Sequence, residues 1–199
     1  MQEDQSPREL EARLALIETM IAEGRRTTQR WAWAFVLWGV AYYVAIAWSA
    51  WGPMPDLSWP ITMFAAAVLT ALLCMRQSHS GVETAAGRAI GAIWIATGIT
   101  MFVLLGSLGA TGRLEPHVFA SAAAALLGAA NATSSMVLKW RVQFACALVW
   151  WGAAVAACFV GAAVLAAIFL VTIFLCQIVF GIYGMIAESR KPSNRPAHA

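Results

Sequence analysis

No Asp, Glu, Lys or Arg occurs in residues 31–55, 57–75, 89–112, 116–138 or 142–187, and these charge-free stretches restrict the fold more than any other feature of the chain. A bilayer core about 30 Å thick is crossed by about 20 helical residues rising about 1.5 Å each, so each of the first four stretches makes one span. The fifth is too long for one span and fits two, joined by a tight turn near Gly161. In lipid every backbone polar group must be satisfied internally, which leaves helices or closed barrels. These stretches are uniformly apolar where a barrel strand would alternate, so the fold class is all-α. The expected architecture is an integral membrane bundle of six helices at about 31–51, 58–75, 89–110, 116–138, 142–160 and 163–186. Residues 1–30 precede it as a cytoplasmic amphipathic helix and basic junction; 31–187 form the membrane domain and 188–199 a disordered tail. Composition agrees: 61% of residues are hydrophobic and 12% charged, against about 45–50% and about 25% in soluble domains.

The basic residues orient the bundle. All but one of the 13 Lys and Arg fall on one side of the expected spans, and Arg113 stands alone on the other with Asp56 and Glu115. The positive-inside rule therefore predicts that both termini are cytoplasmic. The net charge of +3 reports this asymmetry; with no basic-aromatic motif it implies no nucleic-acid partner. Trp31, Trp33 and Trp140 at inner ends, and Trp48, Trp51 and Trp59 at outer ends, fit an interfacial belt. Pro60 and Pro116 sit at the first turns of spans two and four, where a missing N–H costs nothing. The chain opens on an acidic polar segment, so no cleavable signal peptide is expected.

Before the first span, Ser6-Pro7-Arg8-Glu9 has the form of a capping box with proline at the first helical position. Leu10, Leu14, Ile17 and Ile21 then recur at helical spacing, giving an apolar stripe. Glu9, Glu11, Glu18 and Glu23 on the other faces oppose strong binding to anionic lipid. The stripe has three candidate partners: the membrane surface, the inner ends of its own bundle, or another protein.

The spans carry no ionisable residue at depth. Intramembrane charges mark proton relays, voltage sensors and ion pathways, so their lack argues against those functions. The histidines His79, His117 and His198 are scattered over loop, boundary and tail and are read as solvated; no metal is expected. Cys74, Cys146, Cys158 and Cys176 lack a C-x-x-C spacing and read as small hydrophobes. No catalytic motif or cofactor signature is present, and the chain is expected not to be an enzyme. The neutral polar residues Thr97, Asn131 and Gln177, with Ser134 and Ser135 nearby, form a possible polar layer in the cytoplasmic half, explained either by interhelical hydrogen bonds or by a solute-lined cavity. Ala120, Ala124, Gly128 and Ala132 make a small-residue stripe on span four, echoed by Gly152 and Ala156 on span five, for close packing within the bundle or between protomers. Trp38, Trp94 and Trp151, one per odd-numbered span at nearly equal separations, raise the possibility of three repeated hairpins.

The run Glu11-Ala12-Arg13-Leu14-Ala15-Leu16-Ile17-Glu18-Thr19-Met20-Ile21, a basic junction, and Leu37-Trp38-Gly39 resemble a loose group of small six-span bacterial membrane proteins without assigned activity. The resemblance covers about the first quarter of the chain and implies a bacterial cytoplasmic membrane. The expected function is non-catalytic: an accessory, regulatory or assembly subunit working through contacts with a membrane or cytoplasmic protein or a second copy. The alternative is a channel or carrier for a small neutral or apolar solute lined by Thr97, Asn131 and Gln177.

Overall fold

A computed structural model describes residues 11, 13–16, 19, 31–77 and 85–189. Among them the chain is about 90% helical and has no strand. Five helices are long and apolar enough to cross a membrane: Ala32–Trp51, Pro55–Arg76, Gly87–Ala110, Pro116–Leu138 and Ala162–Ala187; Arg141–Ala157 is apolar but shorter. The chain is thus an all-α, multi-pass membrane bundle. The ordered elements are α1 (Ala32–Trp51), α2 (Ser58–Gln77), α3 (Ala85–Ala110), α4 (Pro116–Leu138), α5 (Arg141–Ala157), α6 (Ala162–Ile173) and α7 (Phe180–Ser189); a π-helical segment, Phe174–Val179, joins the last two. Leu10, Ile17 and Ile21, the second connection between 78 and 84, and the tail from 190 lie outside the described residues.

The chain divides into two compact units. One holds α3, α4, α5 and the last helix up to Thr172; the other holds α1, α2 and the chain from Ile173 onward. The last helix therefore contributes to both.

In the first unit, α4 supplies most of the burial. Ala120, Ala124, Leu127, Asn131, Ser134 and Leu138 are all buried, and their alternating spacing of four and three is the repeat that keeps one helix face on a partner. The matching face of α5 is Gln143, Ala147, Trp150 and Ala157. With no hydrophobic drive between helices in lipid, small side chains matter because they let backbones approach and multiply van der Waals contacts. Gly128 shows how close the approach is: a Cβ there would lie 2.4 Å from Cδ1 of Trp151. Edge-on contacts of Phe169 with Trp150 at 6.1 Å and with Phe119 at 5.9 Å seat α6 on this pair.

Two αL turns shape this unit. The N–H groups of Gly112 and Arg113 bond to the carbonyls of Gly109 (3.0 Å) and Leu108 (2.9 Å), a Schellman end with glycine at φ 66°. The same pattern closes α4, where Lys139 and Trp140 donate to Met136 (3.4 Å) and Ser135 (2.9 Å), but Lys139 takes the αL position at φ 49°. At the far end, a ring N–H of His117 donates to the Val160 carbonyl at 2.9 Å. His117 is therefore a half-buried tie between the start of α4 and the α5–α6 turn rather than the solvated residue expected from its position.

In the second unit, α1 lies against α2, the π-helical segment and α7. A Cβ on Gly181 would lie 2.6 Å from Val36 Cγ2, one on Gly184 2.7 Å from Ala32 Cβ, and one on Gly39 2.9 Å from Gln177 Cβ. Three glycines thus permit one close helix crossing, with Phe35 edge-on to Phe180 at 5.1 Å. The α1–α2 connection is tied by Trp48 Nε1–H donating to Pro53 O at 2.7 Å and by the buried Ser58 hydroxyl donating to Pro55 O at 2.6 Å.

Candidate functional site

The most unusual chemistry in the described residues lies on the facing sides of α4 and α5. Asn131, Ser134, Gln143 and Trp150 are each 0% exposed. Asn131 Oδ1, Ser134 Oγ, both amide atoms of Gln143 and Trp150 Nε1 have no hydrogen-bond partner among the described residues. A buried polar group left unpaired costs about 1–3 kcal/mol, and native interiors hold few of them. Here they gather on one hairpin.

Local structure explains why each is there. Asn131 spends its amide N–H on the Leu127 carbonyl one turn back, at 2.8 Å, which leaves Oδ1 without a partner. Ser135 bonds back to Ala132 O at 2.6 Å, whereas Ser134 does not. Gln143 is the third residue of α5, where a glutamine ordinarily reaches back to the N-cap N–H. That N–H belongs to Trp140 and is already used by Ser135 O in closing α4, so the Gln143 amide turns inward instead.

The Gly128–Trp151 contact fixes the register of the hairpin. At about 1.5 Å rise per residue, Ser134 lies about 3 Å along the axis from Gln143, and Asn131 about 3 Å from Trp150. The whole seam runs about 10 Å between Gln143 and Trp150 on the same measure. Between them Ala147, also fully buried, contributes only a methyl group. The seam is neutral throughout, with amide and hydroxyl acceptors set beside amide, hydroxyl and indole donors.

The expected polar layer is distributed differently. Thr97 is half-buried on α3 and its hydroxyl donates to Ile93 O of its own helix at 2.8 Å; Asn131 enters the α4–α5 seam. Gln177 is buried in the π-helical segment of the other unit, beside Gly39. Ala120, Ala124 and Ala132 are buried and Gly128 receives Trp151. Gly152 is exposed with open space where a Cβ would go, and Ala156 is half-buried. Trp38-Gly39 and Trp151-Gly152 consequently occupy unlike settings, and the most extensively packed helix pair, α4 with α5, straddles two of the hairpins of the suggested repeat. Leu14 lies on a helical stretch and is 54% exposed.

Sequence reasoning overlooked Gln143 and Trp150. Gln143 stands two residues from Arg141 and reads as part of the polar boundary; only its heptad relation to Ala147 and Trp150 marks it as inward-facing. Elsewhere, Trp33 Nε1 in the second unit is likewise buried and unpaired. A shallow groove of about 440 Å³ on α3 is lined by Ile99, Thr100, Val103, Leu104 and Ser107, all from one helix and without converging polar groups. Among the described residues, no three of His, Cys, Asp or Glu lie together as a metal site. Comparison with protein-family models, curated proteins and solved structures finds no match.

Proposed function

We propose that this chain is a six-span protein of a bacterial cytoplasmic membrane, with both termini in the cytoplasm, that acts without catalysis through protein contacts as an accessory, regulatory or assembly subunit. The observation that carries the reading is the helical stretch ahead of the spans. Leu14, on the apolar stripe, is 54% exposed there, and Thr19 closes a helical turn on Ala15 O at 2.8 Å. Outside lipid, such side chains lose favourable free energy unless something covers them. Another protein chain is the occupant this reading adopts.

The sixth span in this reading is α5. Its 17 residues reach about 25 Å at about 1.5 Å each, a few ångströms short of the hydrocarbon thickness. Interfacial Trp140 and a snorkelling Arg141 at one end offset that shortfall. The neutral interior of the α4–α5 seam is in keeping with a membrane domain that moves no charge.

The test is removal of residues 1–23 from the full-length protein in its native membrane. The membrane domain is expected to insert and remain monodisperse while cross-linked or co-purifying protein is lost. Retention of every partner and oligomer by the truncated chain overturns the reading.

A further inference from the structure

We propose that the α4–α5 seam is a binding site for a small neutral molecule that both donates and accepts hydrogen bonds: water, or an uncharged solute of the amide or alcohol type. The site is independent of the N-terminal helix and of the function read from it. Two pairs of groups define it. At the end nearest the α4–α5 turn Gln143 offers an amide N–H donor and a carbonyl acceptor, with the Ser134 hydroxyl on the facing helix. About 10 Å further along, Trp150 Nε1–H offers a donor and Asn131 Oδ1 an acceptor. A buried water takes two to four polar partners, and each pair supplies that number.

The chemistry selects the occupant. Every one of these groups is neutral, so an ion entering the seam would lose hydration without a countercharge to replace it. An apolar molecule would leave the same donors and acceptors unpaired. The Trp150 ring, packed against Phe169, closes the far end with an apolar wall, and Ala147 on the near face adds no polar group to compete. The Asn131 amide cannot satisfy the seam by rotating, because its N–H is held by Leu127 O.

Two experiments on the full-length chain in lipid nanodiscs test this. In hydroxyl-radical footprinting with X-rays, a fully buried side chain is oxidised when a bound water beside it is the source of the radical. Trp150 is expected to be oxidised while Ile173, equally buried, is not. In buffer free of small amides and alcohols, where water is the available occupant, an unmodified Trp150, or equal oxidation of both, overturns the proposal. The second experiment replaces wholly unpaired polar groups with apolar ones of similar size, Gln143→Met and Ser134→Ala. If the seam holds a hydrogen-bonded molecule, each variant lowers the apparent melting temperature by about 2–4 °C or more. If the groups are dry and unpaired, removing them relieves a penalty, and an unchanged or raised melting temperature overturns the proposal. Adding acetamide, urea or glycerol separates the two sources: protection of the wild-type chain but not the variants assigns a solute, and no protection alongside the expected loss in the variants assigns water.

Discussion

Glycine changes meaning with what stands opposite it. Gly128 and Gly152 are both in apolar helices of the same unit, yet a Cβ at Gly128 would meet the Trp151 ring at 2.4 Å and one at Gly152 would meet nothing within 4 Å. Gly128→Leu must push the ring out or the helices apart, and forcing extra volume into a packed contact costs about 1–3 kcal/mol. Thermal unfolding in detergent should register this as a drop of several degrees. Gly152→Leu should stay within about 0.5 kcal/mol of wild type, as surface changes do. An equal loss for both would show that the small-residue stripe acts by composition alone. The π-segment side chains give a second case: Gly39→Ile would drive into Gln177 and Ile178, whose atoms stand 2.9 and 2.7 Å from the added carbon.

Two helix ends are built by the same hydrogen-bond pattern with different residues. Gly112 takes its αL position without strain, whereas Lys139 carries a Cβ into a region that disfavours it by about 1–2 kcal/mol. Lys139→Gly should therefore raise stability by about 1 kcal/mol, read as a melting temperature higher by a few degrees. Failure to gain would indicate that the lysine head group contributes as much as the backbone loses. The opposite end of α4 depends on a side chain instead. His117→Ala removes the 2.9 Å bond to the Val160 carbonyl and should cost about 0.5–1.5 kcal/mol, while His117→Gln, which can still donate, should recover part of it. The hairpin as an element is thus closed at one end by backbone geometry and tied at the other by one ring N–H.

Burial is distributed unevenly among the spans. The span window of α4 is 56% buried and that of α3 only 11%. Single charges placed outward on α3, such as Phe102→Lys, should impair insertion through lipid exposure, since Phe102 is 81% exposed and a lysine at mid-span costs about 2.5–3.5 kcal/mol. Orientation has its own check. Single cysteines at Ser78 and Arg190, in a chain with its four native cysteines replaced, should react with an impermeant thiol reagent from the cytoplasmic face, and one at Glu115 from the opposite face. Labelling of Ser78→Cys and Glu115→Cys from the same side contradicts the six-span arrangement.

Fold class was legible because a lipid solvent makes a severe demand that residue types alone can meet: long runs without charge, bounded by Arg, Lys, Trp and Pro. The αL ends went unread: a glycine at 112 suits positive φ without announcing it, and Lys139 carries no signal for it at all. The seam was hidden for a different reason. Asn131 is visibly polar within a span, but Gln143 looks like boundary and Trp150 like one more apolar ring among ten tryptophans. Which faces meet is set by the register of two helices, and that register is decided where Trp151 fits over Gly128. By itself the sequence determined that the chain is helical, apolar and built for a membrane, since those properties follow from each residue's transfer free energy. Only the tertiary structure decided that Gln143, Ser134, Asn131 and Trp150 share one interior, because proximity between helices is a property of packing and no single residue carries it.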